Sequence, residues 1–150
     1  MALRHEGEYC YGDSSTDVWD YFVWRMRNSP EPVRHWRQAV CPCGCAVFVV
    51  EGDEDGPGYR RTCVECETDV VMFEREWSKP KKLPSDLPVM ECVCSGEEFE
   101  VVGATAPFMG DAVSAKWFYL GLRCVGCGCL GEYASWIPRY DDAEAYLAML

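Results

Sequence analysis

Apolar residues recur at helical spacing in two segments, one near each end of the chain. The first segment follows a Ser/Thr/Asp run at residues 14–17, which suits a helix start, and it ends at the prolines of residues 29–32. Its apolar stripe comprises Val18, Trp19, Phe22, Val23 and Met26. The second stripe comprises Ala143, Tyr146, Leu147 and Leu150. We predict an N-terminal helix and a short C-terminal helix that docks on the body of the protein.

Between these helices, short apolar runs bounded by turn residues predict β-strands. The predicted strands are residues 46–51, 59–62 and 69–73 in the first half, and residues 99–102, 116–120 and 131–136 in the second half. A Gly/Pro/Asp turn at 55–58 joins the first two strands, whereas a longer loop joins their counterparts in the second half. Each half is therefore predicted to form a three-stranded β unit.

The two halves share a pattern of cysteines. The segment VCPCGCAVFVVEG at 40–52 aligns without a gap with ECVCSGEEFEVVG at 91–103, at an offset of 51 residues. The segment TCVEC at 62–66 aligns with RCVGC at 123–127, at an offset of 61 residues. Each half thus contains C-x-C, a strand, a loop, a strand and C-x-x-C, and the second half has ten extra residues between its landmarks.

Eight cysteines occur at positions that the two halves share. They are Cys41, Cys43, Cys63 and Cys66 in the first half, and Cys92, Cys94, Cys124 and Cys127 in the second. Cys10, Cys45 and Cys129 have no counterpart. Because Zn²⁺ takes four thiolates in a closed tetrahedral site, we predict two Zn²⁺ per chain with structural roles. Each metal site could form from the four cysteines of one half, or it could combine a cysteine pair from each half. Loop-closure entropy favours sites that form within one half.

Residues 40 to about 137 resemble the tandem four-cysteine zinc-ribbon class, although the first turn of each half is C-x-C rather than C-x-x-C. The resemblance implies a small metal-stapled α+β fold, with two zinc-ribbon-like three-stranded β modules, an N-terminal helix and a short C-terminal helix. The predicted organisation is an N-terminal helical segment at 1–39, a first module at 40–77, a Pro-rich linker at 78–88, a second module at 89–137 and a C-terminal helix at 138–150.

Composition agrees with a metal-stabilised intracellular protein. The chain has 150 residues, of which 49% are hydrophobic and 26% are charged, so a compact fold is expected. The eleven cysteines are odd in number, and neither a signal peptide nor a membrane span is evident, which favours a reducing cytoplasm over a secreted disulfide scaffold. No catalytic motif is present, so we expect no enzymatic activity and no catalytic residue.

The formal net charge of −11 points to a basic protein partner, since nucleic-acid binding requires a basic surface. The acidic candidates for contact are Glu51, Asp53, Glu54 and Asp55. The candidates in the longer second loop are Phe108, Met109 and Asp111, and Tyr21 and Trp24 lie on the polar face of the N-terminal helix. One concrete form of such a protein is an inhibitor or immunity-type protein that masks a cationic toxin or nuclease.

Two other functions are open to such a sequence. A nucleic-acid-associated zinc ribbon of the transcription or translation machinery would use an exposed set of Arg60, Arg61, Trp117 and Tyr119. A zinc-thiolate redox switch would use Cys45 or Cys129 to attack a zinc-bound neighbour under oxidation. The overall negative charge disfavours the first, and no sequence pattern specifically favours the second.

Overall fold

The computed structural model describes residues 3–52, 58–73, 87–138 and 140–150. Most of the turn predicted at 55–58 and of the linker predicted at 78–88 lies outside these residues. The same holds for three of the candidate contacts, Asp53, Glu54 and Asp55.

The described residues form an α+β fold with a mainly antiparallel sheet and two helices. The N-terminal part contains β1 (Arg4–Glu6), β2 (Tyr9–Tyr11), α1 (Ser15–Arg25) and β3 (His35–Gln38). The next strands are β4 (Phe48–Gly52), β5 (Tyr59–Cys63) and β6 (Asp69–Val71). They are followed by β7 (Phe99–Ala106), β8 (Trp117–Cys124), β9 (Cys129–Trp136) and α2 (Ala143–Leu147). Neither helix is long and apolar enough to span a membrane.

One continuous sheet contains the strands of both halves. Its order is β1-β2-β9-β8-β7-β4-β5-β6, and β3 also pairs with β7. Strands β4 and β7 meet in an antiparallel pair at Phe48 and Phe99, the two phenylalanines that the sequence alignment makes equivalent. Outward from this pair, β5 and β6 follow on one side and β8 and β9 on the other. The halves are therefore joined edge to edge in an approximately two-fold arrangement.

The hairpins of the two halves have the same register. Phe48 lies opposite Cys63 in the β4–β5 pair, and Phe99 lies opposite Cys124 in the β7–β8 pair. The bonds that cross between the halves match as well. Ala39 N–H donates to the carbonyl oxygen of Val101 at 2.9 Å, and Met90 N–H donates to that of Val50 at 2.8 Å. The segments that precede β4 and β7 thus each run along the first strand of the other half.

The two helices cover opposite faces of the sheet. Val18 and Phe22 of α1 are fully buried with Val102 and Ala104 of β7. Gly121 permits this close approach, because a Cβ there would lie 2.6 Å from Val18 Cγ1. On the other face, Tyr146 and Leu147 of α2 join a core that includes residues of both halves.

The predicted C-terminal stripe is correct, since its four residues are all buried. Asp142 caps α2 by accepting hydrogen bonds from the N–H groups of Glu144 and Ala145, at 3.0 and 3.2 Å. The N-terminal stripe was wrong at one of its five positions, Val23, because the buried face of α1 is rotated toward Tyr21. Tyr21 is buried, whereas Val23 is 45% exposed.

Candidate metal centres

The first cysteine tetrad forms where β4 begins and β5 ends. The Sγ atom of Cys41 lies 3.4 Å from that of Cys66, and the Sγ atom of Cys43 lies 3.6 Å from that of Cys63. All four sulfur atoms lie within 4.8 Å of one another. Cys41 and Cys63 are buried beside the core, whereas Cys43 and Cys66 face solvent.

The second tetrad occupies the equivalent place, where β7 begins and β8 ends. The Sγ atoms of Cys92 and Cys127 are 3.5 Å apart, and those of Cys94 and Cys124 are 3.6 Å apart. These four sulfur atoms also lie within 4.8 Å of one another. Each tetrad is thus assembled from the cysteines of its own half. The cysteine pairs therefore close locally and are not exchanged between the halves.

The geometry of both tetrads fits a tetrahedral metal ion. With metal–sulfur bonds of about 2.3 Å, the sulfur atoms of a tetrahedral site are about 3.8 Å apart. The four Sγ–Sγ separations given above, 3.4–3.6 Å, are close to this value, and the others are no longer than 4.8 Å. All eleven cysteines are free thiols, so none of the eight is committed to a disulfide. The described residues therefore provide two sites that are able to hold metal ions.

Tight backbone turns hold the ligands in both C-x-C segments. In the first, the N–H of Cys41 donates to the carbonyl oxygen of Cys45, and in the second the N–H of Cys92 donates to that of Gly96, both at 2.8 Å. The C-x-x-C turns are similarly closed, because Glu67 N–H bonds the Cys63 carbonyl at 3.0 Å and Gly128 N–H bonds that of Cys124 at 2.7 Å. We call these four turns the knuckles. A C-x-C knuckle thus presents both of its sulfur atoms to one centre, although it is one residue shorter than a C-x-x-C knuckle.

The C-x-C knuckles differ at the residue that follows the second cysteine. Gly44 has φ of +94° and Ser95 has φ of +72°, a region in which side chains other than glycine are strained. We expect Ser95→Gly to raise the free energy of unfolding by about 0.5–1 kcal/mol, because it relieves this strain. Gly44→Ser should lower it by a similar amount, since a Cβ at Gly44 meets no atom within 4 Å and backbone strain is the main cost. Urea unfolding of both variants tests this pair, and a loss of stability in Ser95→Gly would contradict it.

Hydrogen bonds at the knuckles favour a thiolate in each tetrad. The hydroxyl of Thr68, 3.3 Å from the sulfur of Cys66, and the Thr68 N–H lower the pKa of Cys66 to about 6. In the second tetrad, the N–H of Gly96 and the thiol of Cys124 lower the pKa of Cys94 to about 7. Burial has the opposite effect on Cys92, whose pKa it raises to about 11. Coordination to a divalent cation would compensate for this, because a coordinating thiol is deprotonated outright.

The three remaining cysteines lie outside both tetrads. Cys10 is buried on β2, opposite Leu130 of β9. Cys45 is partly exposed, and its sulfur accepts a hydrogen bond from Val47 N–H at 3.4 Å. Cys129 is buried next to the second tetrad, where burial raises its pKa. The raised pKa makes Cys129 a weak nucleophile for the redox-switch alternative.

Among the described candidate partner contacts, Glu51, Tyr21 and Trp24 are engaged with other residues of the protein. Glu51 is 2.8 Å from Arg60 in an ion pair, and the side chain of Glu51 is 18% exposed. Tyr21 is buried and accepts a hydrogen bond from Arg25 at 2.9 Å. Trp24 is 37% exposed and its ring lies against that of His5.

The loop between β7 and β8 contains the remaining candidates, Phe108, Met109 and Asp111. All three are exposed, and Met109 is the most exposed of them at 84%. Together with residues 30–34, the loop borders an open groove of about 460 Å³. These three residues are therefore accessible to a partner.

The residues considered for nucleic-acid contact do not form an exposed set either. Arg60 is paired with Glu51, and Arg61 is buried. The indole N–H of Trp117 donates to Glu31 at 2.7 Å, and Tyr119 packs partly buried beside α1. The alternation of β5 contains a signal for the burial of Arg61, since Tyr59, Arg61 and Cys63 share one face of the strand.

Among the described residues, the two cysteine tetrads are the groups of side chains that could hold a metal ion. A centre with four thiolate ligands has no open coordination position, so its chemistry is structural rather than catalytic. Comparisons of the chain with protein-family models, with curated proteins and with solved structures find no match.

Proposed function

We propose that this protein is a non-enzymatic, cytoplasmic zinc-binding protein that engages a basic protein partner. The observation that carries the metal part is the convergence of four sulfur atoms at each of two sites, all within 4.8 Å of one another. Each half is then a zinc-ribbon-like module, in which one Zn²⁺ joins the first strand of a hairpin to the end of the second. Four-thiolate tetrahedral sites suit zinc, and iron is the principal alternative.

We expect the purified protein to contain two zinc ions per chain, one for each tetrad. Elemental analysis and native mass spectrometry measure the metal and its stoichiometry. Replacement of the metal by Co²⁺ should give the visible spectrum of a tetrahedral thiolate centre, with an intensity that doubles between the first and second equivalent. A protein that is cooperatively folded but contains no metal would contradict the proposal, and iron in both sites would contradict the zinc assignment.

The partner part of the proposal rests on acidic residues around the metal centres. Six exposed carboxylates flank the knuckles, namely Glu65, Glu67, Asp69, Glu91, Glu97 and Glu98. None of them takes part in an ion pair among the residues that the structure describes. We call this set the acidic knuckle surface. The charge of the thiolate centres beneath adds to it, so a cationic protein surface is the complementary partner.

An inhibitor or immunity-type role is the specific form of this proposal. A protein that masks a cationic toxin or nuclease needs a rigid surface of opposite charge, because preorganisation lowers the cost of binding. Each metal-anchored knuckle pair would hold its exposed carboxylates on closed turns, and would so supply a rigid acidic surface. The electrostatic attraction would mainly accelerate association.

Affinity purification from the native cell at low salt, compared with purification at high salt, tests this role. We expect a basic protein to be retained at low salt and released as salt increases. The double variant Glu97→Lys/Glu98→Lys should lose this partner. A comparison variant, Asp111→Lys/Asp141→Lys, makes the same change in charge at exposed positions beyond the other end of β7, where Asp111 is the alternative candidate contact, and should keep the partner if the knuckles bind it. If only the Asp111→Lys/Asp141→Lys variant loses the partner, the partner binds the loop of Phe108 and Met109 and not the knuckles. If no basic protein is retained at low salt, the proposed role is wrong.

A further inference from the structure

A segment from the N-terminal part of the protein covers the second C-x-x-C knuckle. Strand β2 pairs with β9 directly after this knuckle, where Tyr11 lies opposite Cys129. The N–H of Gly12 donates to the carbonyl oxygen of Gly128 at 2.9 Å, and the Nε of Arg123 donates to the carbonyl oxygen of Gly12 at 3.0 Å. Gly128 and Arg123 are the residues on either side of the knuckle. The covering segment therefore bonds the knuckle at both of its ends.

The covering segment, residues 9–14, is held between the knuckle and the beginning of α1, and we call it the clasp. A carboxylate oxygen of Asp17 accepts hydrogen bonds from the N–H groups of Asp13 and Ser14, at 2.6 and 3.1 Å. Asp17 is buried, and a Cβ added at Gly12 would lie 2.5 Å from the Cβ of Asp17. The clasp thus fits its place closely and has no room for a larger residue at Gly12.

The first C-x-x-C knuckle is open to solvent by comparison. Glu67 and Gly128 close their knuckles with the same hydrogen bond, so the two knuckles match residue by residue at an offset of 61. Residues 66–69 are all exposed, whereas residues 127–130 are half-buried at the first position and buried at the other three. Strand β6, which follows the first knuckle, has three residues and is the last strand on its side of the described sheet. Strand β9 has eight residues and pairs on both sides, with β8 and β2.

This difference affects how easily each knuckle opens. Release of a metal requires a knuckle to open, because a chelator has to replace the thiolates one after another. Local opening occurs most readily where few contacts are buried and the backbone is exposed. The first C-x-x-C knuckle is exposed in this way along residues 66–69. Opening of the second would also have to break the two hydrogen bonds of Gly12 and detach β2 from β9.

We infer that the clasp retains the metal of the second tetrad, so that the first tetrad is the exchangeable metal site and releases its metal first to a competing chelator. This inference rests on the proposed binding of one Zn²⁺ by each tetrad. The clasp supplies no ligand to the metal. It acts by keeping the knuckle closed around the thiolates that bind the metal.

The order of release is tested on the unaltered, zinc-loaded protein with the colorimetric chelator 4-(2-pyridylazo)resorcinol in excess. We expect two kinetic phases of equal amplitude, of which the slow phase is about tenfold slower or more because the clasp has to detach first. Pulses of N-ethylmaleimide during the reaction label the thiols that have lost their metal, and peptide mass spectrometry identifies them. Cys43 and Cys94 are the informative pair, since both are exposed and therefore equally open to the reagent. Cys43 should be labelled in the fast phase and Cys94 in the slow phase, and the reverse order or a single rate overturns the inference.

A variant within the clasp tests whether the clasp is the cause of the slow phase. Gly12→Ala forces the clasp away from Asp17 and should accelerate the slow phase by about tenfold without changing the fast phase. The matched control, Asp13→Ala, removes an exposed side chain of the clasp and keeps the N–H bond to Asp17, so both phases should be unchanged. Acceleration of both phases by Gly12→Ala, or of neither, would refute the role of the clasp.

Arg123 offers a second way to loosen the clasp if Gly12→Ala does not fold. Arg123→Leu removes the hydrogen bond to the Gly12 carbonyl oxygen, and it also removes the ion pair with Glu100 at 3.6 Å. Glu100→Gln removes only the ion pair and is the matched control. Arg123→Leu should accelerate the slow phase, and Glu100→Gln should not. An equal effect of the two variants would assign the effect to the ion pair and contradict the inference.

Failure of this inference is distinguishable from failure of the proposed function. If the protein contains no zinc, no release is observed and the metal assignment itself is wrong. If two zinc ions are present and the second tetrad empties before the first, only the role of the clasp is wrong. The unaltered protein decides the order of release even if no variant of the clasp folds.

Discussion

Replacing Cys124 with serine is expected to remove one of the two metal ions and to destabilise the whole sheet. Structural zinc supplies about 10–16 kcal/mol of apparent binding free energy in zinc-finger peptides, whereas the net stability of a domain is about 5–15 kcal/mol. Cys124 is fully buried, and it lies opposite Phe99, which pairs with the first half. We therefore expect the variant to bind at most one zinc ion and to lose most of its cooperative unfolding. Elemental analysis and circular dichroism during heating measure the two effects.

Cys45→Ser is the matched control for this variant. Cys45 belongs to a knuckle but not to a tetrad, and its sulfur accepts a hydrogen bond from Val47 N–H that a hydroxyl is able to accept. The control should keep two zinc ions and change the free energy of unfolding by about 0.5 kcal/mol or less. Cys10 is unsuitable as a control, since it is buried between α1 and the sheet. Retention of two zinc ions by Cys124→Ser would contradict the prediction that the second metal ion requires the thiolate of Cys124.

The sequence predicted the tetrads because cysteine spacing is a local signal with few structural solutions. Two knuckles separated by one hairpin are brought together by the hairpin itself, so the register of Phe48 with Cys63 places the ligands. The buried stripe of α2 was predictable for a similar reason, since four residues at helical spacing define one face. Local geometry sufficed in both cases.

The pairing of the two halves could not be predicted from periodicity. Strand β3 has only four residues, and its partner β7 lies more than sixty residues further along the chain. The pairing depends on which sheet edges are free after each hairpin has formed, which is a property of the assembled structure. The sequence analysis also missed strands β1 and β2, because each has only three residues and no clear alternation of apolar and polar positions.

The sequence analysis counted Arg61 among exposed residues, and this was wrong for a different reason. Its position between Tyr59 and Cys63 in a period-two pattern indicates the buried face, but arginine is rarely buried unless it is paired. In the structure its Nη2 donates to a main-chain oxygen of Leu150 at 3.1 Å, and its guanidinium lies over the ring of Phe48. Both contacts come from residues distant in sequence, so the burial of Arg61 could not be predicted from the strand pattern alone.

The contact between the halves should make the sheet a single cooperative unit. Phe48 and Phe99 are cross-strand partners, and both are fully buried in the core shared by the two halves. We expect Phe99→Ala to lower the free energy of unfolding by about 3–5 kcal/mol, because it leaves a cavity where the halves meet. The eight cysteines are unchanged, so the variant should still bind two zinc ions. Denaturant unfolding followed by tryptophan fluorescence and by far-ultraviolet circular dichroism measures the loss.

The matched variants are Phe48→Ala in the first half and Val93→Ala on an exposed knuckle of the second. Phe48→Ala should lower the free energy of unfolding by a similar amount. Because contacting residues are energetically coupled, the effect of the double variant should differ from the sum of the two single effects by about 0.5–3 kcal/mol. Val93 is 59% exposed, so its replacement should have little effect. Coincident transitions from both probes would show that the halves unfold together. Two separate transitions, of which Phe99→Ala moves only one, would instead show that the sheet joins two units that are stable independently.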